Sequence, residues 1–266
     1  MRLLLFGLSV GALAGSSVAG AARGLPLVPP GNIAPVPDFL SSGPCTTGPS
    51  GTTCANPCLG ATLAFSPEVR SAACDDYVLS AIDAARTHLG EGPLRLPANW
   101  ARLSVPEQLF TVLDLERTAL GYPPYLGLNA ALDRAALAAA RRGSDPSPAP
   151  GFPGTGRFGG AWGEGFNVLA ADYIWMYDDG WGGSSATTSN VACTSATAAG
   201  CWGHREELLG ADPGYNPGVG LGCRTCEVGA GYARVGAMSS YVVLIERPRG
   251  RPPATVFSWA REARSG

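Results

Sequence analysis

Ser104-Val-Pro-Glu107-Gln-Leu-Phe-Thr-Val-Leu-Asp-Leu-Glu-Arg117, followed by Leu120-Gly-Tyr-Pro-Pro124, marks the clearest boundary in this chain. Ser104 and Glu107 have the spacing of a capping box, in which each end satisfies an orphan N–H of the other, and Pro106 is tolerated in a first turn whose N–H groups lack partners. Leu109, Phe110, Leu113 and Leu120 fall on one stripe, with Gln108, Asp114, Glu116 and Arg117 expected on other faces. Gly121 and the two prolines end the segment. Downstream, Asn129 is placed to cap a helix over 130–142 whose alanines permit close packing, and Gly143 ends it. The Pro/Gly-rich stretch 146–160 reads as a loop, Asn167 to Asp178 as a helix, 180–200 as a long loop of small residues, and His204 to Leu209 as a short helix. Val219 to Cys223, Gly231 to Val235 and Ser240 to Glu246 read as strands. Upstream, Val78, Leu79, Ile82, Ala85 and Leu89 recur at helical spacing from Asp75, Gly90 closes that helix, and a loop through Pro93 and Pro97 follows. Helices first and strands late favour α+β over alternating βαβ units.

Composition narrows the function classes. Of 266 residues, 45% are hydrophobic and 15% charged, enough apolar material for a core that does not depend on cross-links. All 19 basic residues are arginine, and the net charge of -2 gives no broad attraction to nucleic acid or anionic membrane. Met1-Arg2, the apolar run Leu3 to Ala14 and Ala19-Gly20-Ala21 have the layout of a signal peptide over 1–21. The run is shorter than the roughly 20 residues needed to span a bilayer, so after cleavage the chain is not expected to be an integral membrane protein. Export makes the eight cysteines readable as disulfides: Cys45, Cys54, Cys58 and Cys74 with their pairing open, then Cys193, Cys201, Cys223 and Cys226. A Cys193–Cys201 bridge closes a small loop worth roughly 2–3 kcal/mol. Cys223-Arg-Thr-Cys226 reads as a tight-turn bridge, because no second CxxC completes a zinc site. The expected organisation is therefore a signal peptide (1–21), a disulfide-tied Pro/Gly/Cys-rich extension (22–74), a helix and connecting loop (75–104), the main domain (105–246) and an Arg-rich solvated tail (247–266).

Chemistry-bearing residues cluster between 162 and 209. Gly154-Thr-Gly156-Arg-Phe-Gly159 meets the GxGxxG spacing but lacks the preceding strand and following helix of a phosphate cradle. There is no GxSxG elbow and no HExxH. Only two histidines exist. His88 falls on the first helix, where a surface role suffices. His204 sits in Cys201-Trp-Gly-His204-Arg-Glu-Glu-Leu-Leu209, at the close of the long loop, where an imidazole can serve as base, acid or ligand; its plainer role is to hydrogen-bond the loop. Glu164 in Trp162-Gly-Glu164-Gly-Phe-Asn167 has a simple reading as a helix-start charge, and Asp178 and Asp179 as turn formers. Acids at a helix C-terminus oppose the dipole, which favours a specific use for one of that pair. Trp162, Trp175, Trp181 and Trp202 lie in the same interval and suit either core packing or a cleft that stacks sugars or lipid rings.

Taken together, these motifs resemble the CAP superfamily of cysteine-rich secretory, antigen 5 and pathogenesis-related (SCP-like) proteins. Glu107 to Arg117 with Leu120-Gly-Tyr-Pro-Pro is similar to the opening helix of bacterial members, and Leu132 to Ala140 to their alanine-rich second helix. Gly163-Glu164-Gly-Phe-Asn167 resembles "G-E-N", Trp175-Met-Tyr-Asp178 "W-x-x-E", Gly203-His204-Arg-Glu-Glu-Leu-Leu209 "G-H-R-x-N-I-L", and Gly218-Val-Gly-Leu-Gly222 "V-G-V-G". The likeness spans about 105–246. It implies an α-β-α sandwich with a cleft lined by two histidines and two acids: His204 as second histidine, Glu164 as first acid, Asp178 or Asp179 as second. The first histidine is missing, with Asp145 the nearest titratable group. One imidazole among carboxylates suits a weakly held hard cation, or none, better than zinc; His204 and Glu164 are the weak metal candidates.

The expectation is a secreted or envelope-associated protein that binds a lipid, glycan or cell-envelope polymer without catalysis. His204, Glu164, Asp178, Asp179, Trp175, Tyr177 and Trp202 are the expected cleft residues, with no cofactor and no nucleic-acid partner. The alternatives are a hydrolase with His204 as general base, oriented by Glu164 or Asp178, and a structural envelope protein.

Overall fold

The computed structural model describes residues 45–49, 51–54, 56–58, 72–182, 190, 192–198, 200–210, 223–235 and 238–259. The stretch expected to be a signal peptide (1–21), most of the expected extension (22–74), Val219 to Gly222 and 260–266 lie outside them. The chain forms an α+β arrangement around one mixed sheet. In chain order the elements are a small hairpin of β1 (Cys45–Gly48) and β2 (Gly51–Cys54), then α1 (Ala72–His88), a short 3-10 turn (Trp100–Arg102) and α2 (Val105–Ala119). β3 (Gly127–Leu128), α3 (Ala130–Arg142), β4 (Gly154–Gly165) and α4 (Val168–Tyr177) follow. The chain closes with α5 (Gly203–Leu209), β5 (Glu227–Val235), β6 (Met238–Pro248) and β7 (Phe257–Ser258). The main sheet has the order β4-β6-β5-β3-β7, antiparallel except for the parallel β3–β5 pair.

Local signals set the helix starts. Ser104 N and Oγ both donate to Glu107 Oε2 (2.8 and 2.7 Å), Asn129 Oδ1 accepts from Ala131 N (2.9 Å) and Asn167 Oδ1 from Ala170 N (2.8 Å). Gly143 ends α3 in the left-handed region, φ 63°.

Helices cover both faces of the sheet. On one face α3 lies directly on β5: a Cβ at Gly229 would sit 2.2 Å from the Leu132 carbonyl carbon, and one at Gly231 2.3 Å from that of Ala136. Only glycine admits that approach. The alternate residues Val228 and Ala230 point the other way, as strand periodicity requires, into the larger core with residues of α1, α2 and α4.

Three expectations are corrected. Residues 154–160 of the stretch read as loop belong instead to strand β4, the edge strand paired with β6, with register partners from Phe158–Glu246 to Gly165–Ser239. The tail from 247 is not wholly solvated: β6 runs to Pro248, and Phe257, buried, pairs with Leu128 through β7. The region 75–104 is not separate from the main domain, because Val78, Ile82 and Ala85 share one core with Leu109, Phe110 and Tyr173. Gln108, Asp114, Glu116 and Arg117, off the apolar stripe of α2, are buried as well, since α2 is enclosed by sheet and helices.

Disulfides join Cys58 to Cys74, Cys193 to Cys201 and Cys223 to Cys226. Cys45 and Cys54 stand opposite one another in the β1–β2 register. No described helix is long and apolar enough to cross a membrane.

Candidate functional site

α4 is buried along its whole length, so its last turn delivers the chain to a fixed place. Asp178 closes the helix, its N–H donating to Tyr173 O (3.1 Å). Asp179 follows, fully buried, and its backbone carbonyl accepts from Trp202 N (2.9 Å) and Asn190 Nδ2 (3.2 Å). Asn190 Nδ2 also donates to Gly200 O (2.6 Å), and the Cys193–Cys201 bridge closes the same loop one residue before Trp202. Trp202 is the only non-glycine residue with positive φ (66°) among those described. That conformation costs about 1–3 kcal/mol and persists only where surrounding contacts over-determine it. Burial of Trp202 and the Asp179 bond supply those contacts.

The result is a paired imidazole and carboxylate at the start of α5. Asp179 Oδ1 lies 2.8 Å from His204 Nδ1, and Asp179 Oδ2 accepts from His204 N (2.9 Å) and Arg205 N (3.3 Å). A carboxylate that already receives two backbone N–H groups acts as acceptor to the ring as well, so Nδ1 carries the proton and Nε2 is left with no partner among the described residues. The Asp179 side chain is 0% exposed and that of His204 21%. Burial pulls the imidazole down, but the Asp179 hydrogen bond and charge, together with Asp145 and Glu207, carry it above its ordinary value. Burial pushes Asp179 up, against the hydrogen bond and charge of His204 and the two backbone N–H bonds.

Glu207 also ties the site to the sheet, accepting from Gly160 N on β4 (3.1 Å). Asp145, exposed on the segment after α3, contributes to the field at His204. Asp179 is thus the acid bonded to the imidazole, while Asp145 and Glu207 act on it through the field alone.

The other expected site residues are placed elsewhere. Glu164 stands opposite Ser240 in the β4–β6 register, on the same strand face as Trp162, whose Nε1 donates to Ser240 Oγ (2.9 Å). It is raised by burial alone and forms no hydrogen bond or ion pair with any described residue. Asp178 is buried, one residue short of the pair. Trp175 and Trp202 are core residues (2% and 4% exposed), Trp175 Nε1 donating to Trp162 O (3.1 Å). Tyr177, fully buried, donates to Glu116 Oε1 (2.8 Å). None of these three side chains lines an open cleft. Trp181 is the exposed tryptophan, at 43%.

The metal site implied by the family likeness does not fit these residues. Nδ1 of His204 is committed to Asp179, Glu164 is not joined to either, and no group of three or more His, Cys, Asp or Glu side chains converges among the described residues.

Sequence reasoning missed the polar network beneath the pair. Arg86 Nη1 bonds Glu116 Oε2, Arg86 Nε donates to Gly92 O (2.6 Å), and Arg205 Nη1 donates to Met176 O (2.6 Å). The only local signal for Arg205 is its position next to His204; the partners come from helices far apart in sequence. Scans of protein-family models, of characterised proteins and of solved structures return no match to the chain.

Proposed function

We propose that the protein is a secreted binding module with a CAP/SCP-like α-β-α sandwich, and that it holds a glycan of the cell envelope at His204 without turning it over. Helices on both faces of a mixed sheet, three disulfides among the described residues, and a His–Asp pair in which His204 lies in one family-like motif and Asp179 one residue past another support this reading. The observation that carries it is the oriented imidazole. His204, its side chain 21% exposed, keeps Nε2 without a partner among the described residues and lies in the field of Asp145 and Glu207, and carboxylates with an imidazole suit the hydroxyl groups of a saccharide. Trp181, two residues past Asp179, offers an exposed ring face of the kind sugars stack on. A lipid is a poorer ligand: Trp181 and Val256 are the only exposed large hydrophobic residues described, where lipid needs a contiguous apolar surface.

The His204–Asp179 geometry also favours a second reading, a hydrolase in which Nε2 takes a proton from water. General-base help of this kind is worth about 10²–10⁴-fold. Isothermal titration with soluble peptidoglycan fragments and with phospholipid vesicles separates the readings. Saccharide binding that is lost in His204→Ala, with fragments recovered intact, is the expected result. Fragment cleavage lost in the same variant would replace binding by hydrolysis, and heat with vesicles alone would overturn the choice of ligand.

A further inference from the structure

We infer that Arg205 is a positioning residue for the ligand site: it holds the His204 ring against Asp179 by clamping α5 onto the end of α4. The inference rests on the reading that Nε2 of His204 is where the ligand binds.

α5 has seven residues, too few to hold a helix or an orientation without tertiary contacts. Its C-terminal end is fixed by α2 and the segment after it: Tyr125 Oη donates to Leu208 O (3.1 Å), and Arg117 Nη1 bonds Leu209 O. Its N-terminal end, which carries His204, depends on Asp179 and Arg205. Arg205 grips the end of α4 at two points. Its backbone N–H donates to Asp179 Oδ2 (3.3 Å), and its Nη1 donates to Met176 O (2.6 Å), three residues earlier in the chain. The far side of the guanidinium faces Glu91, with Nη2 3.7 Å from Oε1, and the cation lies 5.6 Å from the Tyr177 ring centroid. Glu91 in turn lies 3.6 Å from Arg86 Nη1, linking the clamp to α1.

This arrangement is a poor way to gain stability alone. Arg205 is 0% exposed, and its Nε and Nη2 atoms have no hydrogen-bond partner within the usual limit. A buried guanidinium left partly unsatisfied is more costly than an apolar side chain of similar volume. A planar fork does what an apolar residue does not: it reaches a main-chain carbonyl and a carboxylate on opposite sides at once, which sets the rotation of the helix that bears the imidazole.

The test reads the imidazole rather than stability. His204 is titrated by two-bond 1H–15N NMR, which reports both its pKa and which nitrogen carries the proton, in wild type, Arg205→Lys, Arg205→Met and Glu91→Gln. Thermal midpoints and saccharide titrations are run alongside. In Arg205→Met we expect the imidazole to lose its raised value, falling to 6.5 or below, and to lose the Nδ1–H signature. Arg205→Lys, which keeps a cationic donor on a similar stem, is expected to keep much of both, and Glu91→Gln to shift in the same direction by less. Should Arg205→Met fail to fold, Glu91→Gln and Arg205→Lys decide. Lowered midpoints in those two with an unchanged His204 pKa and tautomer would make Arg205 merely structural and overturn the inference. Altered titration in the variants, with no saccharide bound by wild type, would instead uphold the clamp and remove the binding reading.

Discussion

Replacing Asp179 by Asn isolates the charge of the buried carboxylate while keeping its shape. Asp179 accepts three hydrogen bonds, from His204 Nδ1 at 2.8 Å, His204 N at 2.9 Å and Arg205 N at 3.3 Å. In Asp179→Asn the amide oxygen can keep both backbone donors. The amide NH2 must then face the ring, which has to present a lone pair at Nδ1 and move its proton to Nε2. Three charge-assisted bonds become neutral ones while the cost of burying the charge is removed, a net loss of about 1–2 kcal/mol. At about 2–4 °C per kcal/mol for a domain of this size, the thermal midpoint drops by about 2–8 °C. Asp179→Ala leaves the ring and two N–H groups unpaired and costs more, about 3–5 kcal/mol. The pH dependence has a definite sign. The folded His204 pKa lies above the unfolded 6.5, so its contribution is present below pH 6.5 and is lost as pH rises through the folded value. The gap between wild type and Asp179→Asn is therefore largest just below pH 6.5 and narrows above the folded value. Thermal unfolding by near-UV circular dichroism across pH, with NMR titration of His204, measures both. An imidazole that titrates identically in Asp179→Asn would refute the reasoning, whatever happens to stability.

Two further predictions concern the sheet. Glu227 is buried, with Oε2 accepting from Asn129 Nδ2 (2.9 Å) and Oε1 unpartnered, and burial pushes it up to about 7 from 4.5. A folded value above the unfolded one means stability present below pH 4.5 and lost as pH rises through about 7. Glu227→Gln should flatten the fall in thermal midpoint over that window, and an equal fall in both proteins would show that Glu227 is not its source. Gly229→Ala places a methyl 2.2 Å from the Leu132 carbonyl carbon, so α3 must lift from β5; chemical denaturation should report a loss of about 1–3 kcal/mol or more, and a neutral substitution would contradict the packing of α3 on that strand.

How far the sequence could be read follows from how local each signal is. Asn129, Asn167 and the Ser104–Glu107 pair act within a turn of the helices they start, and those helices lie where the caps place them. β4 carries no such signal. Half of its twelve residues are glycine, which obscures any alternation, and its extended state comes from pairing with β6, about eighty residues away in the chain, and from the close approach of α4. β7 is two residues long and exists through its ladder with β3. The burial of the polar residues of α2 is not legible in their spacing, because charged side chains are seldom buried unless paired. Their partners, Arg86 and Tyr177 for Glu116, and Leu209 for Arg117, come from other elements. At the candidate site the two adjacent acids are indistinguishable by composition. Only the end of α4, which turns at Asp178, decides that Asp179 meets the imidazole, and only the strand register separates Glu164 from it.

Throughout, the ligand site is taken to be Nε2 of an imidazole whose Nδ1 is fixed by a buried acid. Following the His204 ring nitrogens by NMR while soluble peptidoglycan fragments are added tests that most directly. The Nε2 resonance should move progressively to saturation, with the Nδ1–H bond to Asp179 retained. A saturable interaction, detected by calorimetry on the same samples, that leaves Nε2 unmoved would place the ligand elsewhere and contradict the account.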